Sequence, residues 1–196
     1  IMADLQGPKI RIERFADDAV ELEPEQPFIL DCGPEVEPGT QYRVGVGYKN
    51  LYKDVSAGDT LLLDDGLITL SVQKVSGTEI QTQVVHGGRL SNRKGINRLG
   101  GGLSLKALSA KDREDIVLAA KMGADYLAVS FVCDADDMRE ARALLRASGS
   151  SAGLVAKIER VEAIANLTEI ADASDAVLVA RGDLGVEINY AELPGL

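Results

Sequence analysis

The chain holds 196 residues, with 21 Lys and Arg against 31 Asp and Glu, one His and a formal net charge of −10. With 45% hydrophobic and 27% charged residues it has the make-up of a globular protein, not of an acidic disordered tail. The charge excludes broad binding to nucleic acid or to an anionic membrane, which needs a basic face. No apolar run approaches the roughly 20 residues of a membrane helix. Any anionic ligand must be held by a few focused cations. Cys32 and Cys133 are the only cysteines, form no Cys-x-x-Cys pair and suit a reducing cytoplasm. His86, the sole histidine, makes a His-dependent hydrolase triad a poor candidate.

Ile1-Met2-Ala3-Asp4-Leu5 reads as a buried strand already under way, and the last residues stop just after a turn; both are expected of a segment of a longer protein. From Lys9 to Asn97 the chain is rich in β-branched residues with frequent Gly, Pro and Asp. Strands are expected over Lys9–Phe15, Ala19–Leu22, Phe28–Asp31, Tyr42–Val46, Thr60–Leu63, Leu67–Val75 and Glu79–Val85, with turns at Asp65-Gly66 and Ser76-Gly77-Thr78. Short strands with small turns predict a compact β-barrel or sandwich.

Beyond Ser109 the texture changes. Ser109 is placed to cap a helix running to Gly123. Strand Tyr126–Val132, helix Asp136–Ala147, strand Leu154–Ile158, helix Val161–Ala171 and strand Ala176–Ala180 follow. The strands are continuously apolar, as when both faces of a parallel sheet are buried. The order is that of an α/β sheet or barrel. The reading is therefore α/β: residues 1–8 form a first barrel strand, 9–97 an inserted all-β lid, and 98–196 further barrel strands and helices. Polar residues gather at the C-terminal strand ends: Asp4, Ser130, Lys157 with Glu159, and Arg181 with Asp183. In a (β/α)8 barrel those ends converge on one mouth. No Gly-x-Gly-x-x-Gly supports a dinucleotide fold.

Four constellations stand out. In Lys157-Ile158-Glu159 strand alternation puts ammonium and carboxylate on one face; the alternative is an internal pair stabilising the rim. In Arg181-Gly182-Asp183-Leu184-Gly185 an apolar strand ends abruptly, and backbone N–H groups at a following helical turn would suit a carboxylate. Glu159 and Asp183 then supply two hard oxygen ligands, typical of Mg2+ completed by substrate and water; alternatively Asp183 caps the turn and pairs with Arg181. Gly7-Pro8 turns the chain out of the barrel toward Arg11, placed to reach a phosphate, or a plain solvated linker residue. Arg93, Lys94 and Arg98 before Gly100-Gly101-Gly102 combine a phosphate clamp with a hinge. Asp64-Asp65-Gly66 serves as a turn whether or not it has a functional role, and His86 and Cys133 read as structural.

The series Asp-x-x-Gly-Pro-x-Ile-Arg, Leu-Asp-Asp-Gly, Asn-x-Lys-Gly-Ile-Asn, Leu-Ala-Val-Ser-Phe, Lys-Ile-Glu and Ala-Arg-Gly-Asp-Leu-Gly-Val-Glu closely resembles the pyruvate kinases. The resemblance spans essentially the whole chain. It implies a partial (β/α)8 barrel, about strands three to six, with an inserted β-barrel lid, and without the remaining strands or the C-terminal allosteric domain. It implies Mg2+ (or Mn2+) on Glu159 and Asp183, and Lys157 as the catalytic cation. Phosphoenolpyruvate would be received by Lys157, Ser130 and the backbone amides of Gly182 and Asp183, and the ADP or ATP phosphates by Arg11 and Lys94. Arg11 would also serve catalysis.

Two departures from the family pattern carry expectations. Lys9 stands where many members have Glu beside a monovalent-cation site that includes the equivalent of Asp4, and Leu5 where others have Thr. A K+-independent enzyme is expected. The family threonine beyond the sixth strand, and residues of the earliest strands, lie outside the segment, so the isolated segment should be nearly inert. The expected whole is a cytoplasmic glycolytic enzyme, usually a homotetramer, with no nucleic-acid or membrane partner. The rival readings are a Mg2+-dependent oxo-acid carbon–carbon lyase and a non-catalytic nucleotide-binding fragment.

Overall fold

The computed structural model describes residues 1–188, 191 and 193–195. The chain divides into two compact units, Ile1–Lys9 with Ser104–Leu196, and Ile10–Leu103.

The first unit is α/β. Its sheet has four parallel strands in the order β1 (Met2–Asp4), β10 (Tyr126–Val129), β11 (Gly153–Ile158), β12 (Ala176–Val179). Helices α2 (Ala110–Lys121) and α3 (Ala135–Ala147) precede β10 and β11, α4 (Val161–Ala165) and α5 (Leu167–Asp172) precede β12, and α6 (Arg181–Ile188) follows it. Both longer helices start on capping boxes. Ser109 and Asp112 exchange bonds at the start of α2, as do Asp134 and Asp137 at α3, and each box satisfies two otherwise orphaned N–H groups. Leu127 and Val129 of β10 and Leu154, Ala156 and Ile158 of β11 pack on Ile116, Met138 and Leu145 of the helices. The opposite sheet face is left for the polar residues.

One expectation is corrected here. The Val161–Ala171 helix is broken at Asn166, whose side-chain Nδ2 donates to the Cys133 carbonyl (2.9 Å) instead of lying along a helix surface. Strand β12 is the last strand of the sheet in this segment, and Val177 and Val179 are 39% and 55% exposed there, as a partial barrel leaves its edge strands.

The second unit is all-β. A six-stranded sheet runs β4 (Arg43–Gly45), β3 (Pro27–Asp31), β7 (Glu79–His86), β6 (Ile68–Ser76), β5 (Thr60–Leu63), β9 (Ile96–Arg98), and β2 (Ala19–Leu22) pairs with β8 (Gly88–Ser91). A one-turn helix, α1 (Leu51–Asp54), seats the buried Leu51. Burial alternates along β5, β6 and β7, so a single inward face carries the core. The expected strand Lys9–Phe15 is not a regular ladder. Isolated bridges join Arg11 to Gly95 beside β9 and Ile12 to Val46 beside β4, so this segment closes the sheet into a barrel. The turn between β5 and β6 uses Asp64, Asp65 and Gly66, all at positive φ (52°, 54°, 89°), a region Asp tolerates better than most residues. The β-rich unit extends past 97 because β9 pairs with β5 and Arg98 grips Asp59 and the Gly101 carbonyl.

Candidate active site

In the α/β unit the register aligns Asp4 with Ala128 and Ala128 with Val155. Two residues further along, Ser130 and Lys157 must lie on the same face as Asp4, and Glu159 follows one alternation later. The side chains meet as that geometry requires. Lys157 Nζ lies 2.9 Å from Ser130 Oγ, 3.1 and 3.3 Å from the Asp4 carboxylate oxygens and 3.1 Å from Glu159 Oε1. The other Glu159 oxygen accepts the Phe131 backbone N–H at 2.8 Å. Ser130 Oγ is also 2.8 Å from the carbonyl of the buried Leu5. Sequence reasoning passed over Phe131. It stands at φ 57°, and this left-handed conformation of a bulky residue turns its N–H toward Glu159. Its ring lies against Gly7, where a Cβ would come within 2.6 Å of Phe131 Cδ2. Gly7 is held in turn by its N–H bond to Oδ1 of the buried Asp112 (3.0 Å).

Asp183 sits in the first turn of α6 and is paired with Lys9, Nζ to Oδ1 2.9 Å, rather than with Arg181. Its charge bears on Glu159. Burial, with the side chain only 3% exposed, pushes the Glu159 carboxyl above its ordinary range, and the neighbouring Asp183 adds to that. The Phe131 N–H and Lys157 offset only part of it. Burial works against the Lys157 ammonium, but Glu159 and Asp4 outweigh it, and its pKa is raised. A buried Glu159 carboxylate beside Asp183 is a donor set whose crowded negative charge a divalent cation relieves. Among the described residues no cluster of three or more His, Cys, Asp or Glu forms a complete protein cage, so further ligands would have to come from substrate and water. At Gly182 an added Cβ would meet nothing within 4 Å, so there is open space beside that residue.

Arg11 and Lys94 belong to the β-rich unit. Arg11 donates to the Arg93 carbonyl (2.9 Å), and Lys94 Nζ is paired with Asp64 (2.8 Å). Of the three cations before the glycines, Arg98 is paired with Asp59, Nη2 to Oδ1 3.0 Å. Cys133 is a neutral thiol, its pKa pushed up to about 12 by burial.

The whole of residues 1–196 matches the family model described as "Pyruvate kinase, barrel domain". The chain belongs to the pyruvate kinase family. It is 52% identical to a pyruvate kinase of Buchnera aphidicola (subspecies Acyrthosiphon pisum), with 100% of this chain and 42% of the relative aligned. It is 50% identical to the pyruvate kinase of Haemophilus influenzae and 50% identical to pyruvate kinase II of Salmonella typhimurium, each over 100% of this chain and 42% of the relative. The chain thus spans about two fifths of the length of the curated relatives it matches. The oxo-acid lyase reading is not favoured by these matches.

Proposed function

We propose that this segment works within a larger pyruvate kinase that transfers the phosphoryl group of phosphoenolpyruvate to ADP. The enol-ester P–O bond breaks, a new P–O bond forms to the terminal ADP oxygen, and the enolate takes a proton to become pyruvate. The observation that carries the reading is the convergence of Lys157, Glu159, Ser130 and Asp4 on one face at the strand ends, with Asp183 bearing on Glu159. Phosphoryl transfer asks mainly for positioning and charge neutralisation, and this set supplies both without a covalent nucleophile.

Glu159 and Asp183 would hold Mg2+ or Mn2+, which when bound would neutralise charge on the substrate and phosphoryl oxygens. Lys157, anchored by Ser130 and Asp4, presents its ammonium to the phosphoryl group and afterwards to the enolate oxygen. Because its pKa is raised, it stays protonated at neutral pH and acts as a fixed positive charge, not as a base. The substrate carboxylate would be received at the backbone of Gly182 and Asp183, and the nucleotide phosphates by Arg11 and Lys94. Lys9, already on Asp183, would take over the role of K+ in the region of Asp4 and Leu5. The complete protein on this reading is a cytoplasmic glycolytic homotetramer without nucleic-acid or membrane partners, and the segment by itself is inert.

The test is coupled ATP formation by the complete enzyme with Lys157→Met. Loss of one charge aimed at the transition state should lower turnover by about 10²–10³-fold or more, with metal affinity nearly unchanged. Turnover within a few-fold of wild type would refute the role given to the ammonium.

A further inference from the structure

The two carboxylates read as metal ligands come from different elements. Glu159 directly follows β11, and Asp183 stands in the first turn of α6. A shared ion needs both held at a fixed separation, because a site loosened by about an ångström loses its function.

One buried side chain joins the two elements. Glu187 lies on α6 four residues after Asp183, so the two occupy neighbouring positions one helical turn apart. Its Oε2 accepts the backbone N–H of Val161 at 3.1 Å, and Val161 is two residues beyond Glu159. Glu187 is only 3% exposed. Between Glu159 and Val161 stands the equally buried Arg160. Its guanidinium grips both oxygens of Glu162 (3.1 and 2.7 Å) and donates to the Leu105 carbonyl (3.2 Å). The segment that Glu187 holds is therefore itself tied down, and the Glu187 charge acts on Arg160 as well.

A buried carboxylate is costly and by itself is weak evidence for stability. The local structure shows what this one does. Val161 is the first residue of α4, and the residue before it, Arg160, makes no side-chain cap. The Val161 N–H is one of the donors that a helix start leaves orphaned. Glu187 satisfies it from a second element, as a cap that also links α6 to the end of β11.

We propose that Glu187 is a positioning residue for the metal site: through the Val161 N–H it fixes α6, and with it Asp183, against the strand end that carries Glu159. The inference rests on the proposed pairing of Glu159 and Asp183 around one ion, and it adds a residue outside that pair.

The complete enzyme is titrated with Mn2+ alone, and the free ion is read by electron paramagnetic resonance. The bond is cut from either side. Glu187→Ala removes the acceptor. Val161→Pro removes only the donor: proline is tolerated at the first helical position, and Arg160 before it, at φ −120° and ψ 150°, already has the extended backbone that proline demands. Each variant should raise the Mn2+ Kd about tenfold or more. The double variant should raise it no further than the worse of the two, since both remove one bond. Leu145→Ala, which opens a cavity in the core of the same unit, should lower the Tm and leave the Kd within about twofold. Should Glu187→Ala fail to fold, Val161→Pro carries the test by itself. A wild-type Kd in Val161→Pro, effects that multiply in the double variant, or an equal loss in Leu145→Ala would overturn the proposal. A Kd unchanged in both Glu159→Gln and Asp183→Asn would overturn the ligand pair, and the inference with it; a Kd raised in those two but not in Val161→Pro would overturn the inference alone.

Discussion

Replacing Gly7 by Ala should strain the floor of the candidate site. Gly7 has φ 66°, and an added Cβ would fall 2.6 Å from Phe131 Cδ2 and 2.9 Å from Ser130 Cβ. The left-handed backbone costs an L-residue about 1–2 kcal/mol. Forcing a methyl into an already filled space costs about 1–3 kcal/mol more. Together Gly7→Ala should destabilise the α/β unit by roughly 2–5 kcal/mol. Urea unfolding followed by helical circular dichroism reports that unit, because α2 to α6 all belong to it. The double variant with Phe131→Gly separates the two costs. Removing the ring should recover about 1–3 kcal/mol of the loss, read as coupling in a double-mutant cycle. A Gly7→Ala cost below about 1 kcal/mol, or no coupling to position 131, would refute the proposed contact between hinge and site.

Two further predictions follow from charge. The side-chain bond from Arg98 holds the Asp59 carboxyl below its ordinary range, against a smaller opposing effect of burial. The folded unit therefore binds fewer protons there than the unfolded chain; this stability is present above the ordinary carboxylate pKa of about 3.9 and is lost as pH falls toward the depressed value. The Tm of Asp59→Asn should accordingly fall less than that of wild type between neutral pH and pH about 3; parallel falls would contradict the pairing. The complete enzyme should keep its activity when Na+ or Tris replaces K+, and Lys9→Glu should make it K+-dependent. Loss of wild-type activity on that replacement would overturn the role given to Lys9.

Much of the fold was legible because it depends on local chemistry. The Thr60–Leu63 strand and the Ser109 cap follow from alternation and from orphaned helix N–H groups, and both appear at the expected residues. What escaped depends on partners far along the chain. Lys9–Phe15 has a strand's residues, but it joins the sheet only through single bridges because it spans between β4 and β9 to close the barrel. The break of the Val161–Ala171 helix likewise depends on Asn166 finding the Cys133 carbonyl 33 residues away.

The site divides in the same way. Strand alternation placed Lys157 and Glu159 together before any coordinates. It could not indicate that Lys157 would also bond Asp4 across 153 residues of chain, or that Lys9 would find Asp183 across 174. Phe131 entered the sequence reading only as the end of the Leu-Ala-Val-Ser-Phe motif, with no role, because its contribution is a backbone N–H whose direction depends on φ.

The most direct test of the account is Mn2+ binding to the complete enzyme, followed by electron paramagnetic resonance, for wild type, Glu159→Gln, Asp183→Asn and the exposed control Asp136→Asn. If Glu159 and Asp183 hold one ion, each of the first two variants weakens binding at least tenfold, about 1.4 kcal/mol, while the control binds as wild type does. Wild-type affinity in both Glu159→Gln and Asp183→Asn would contradict the shared metal site on which the proposed phosphoryl transfer depends.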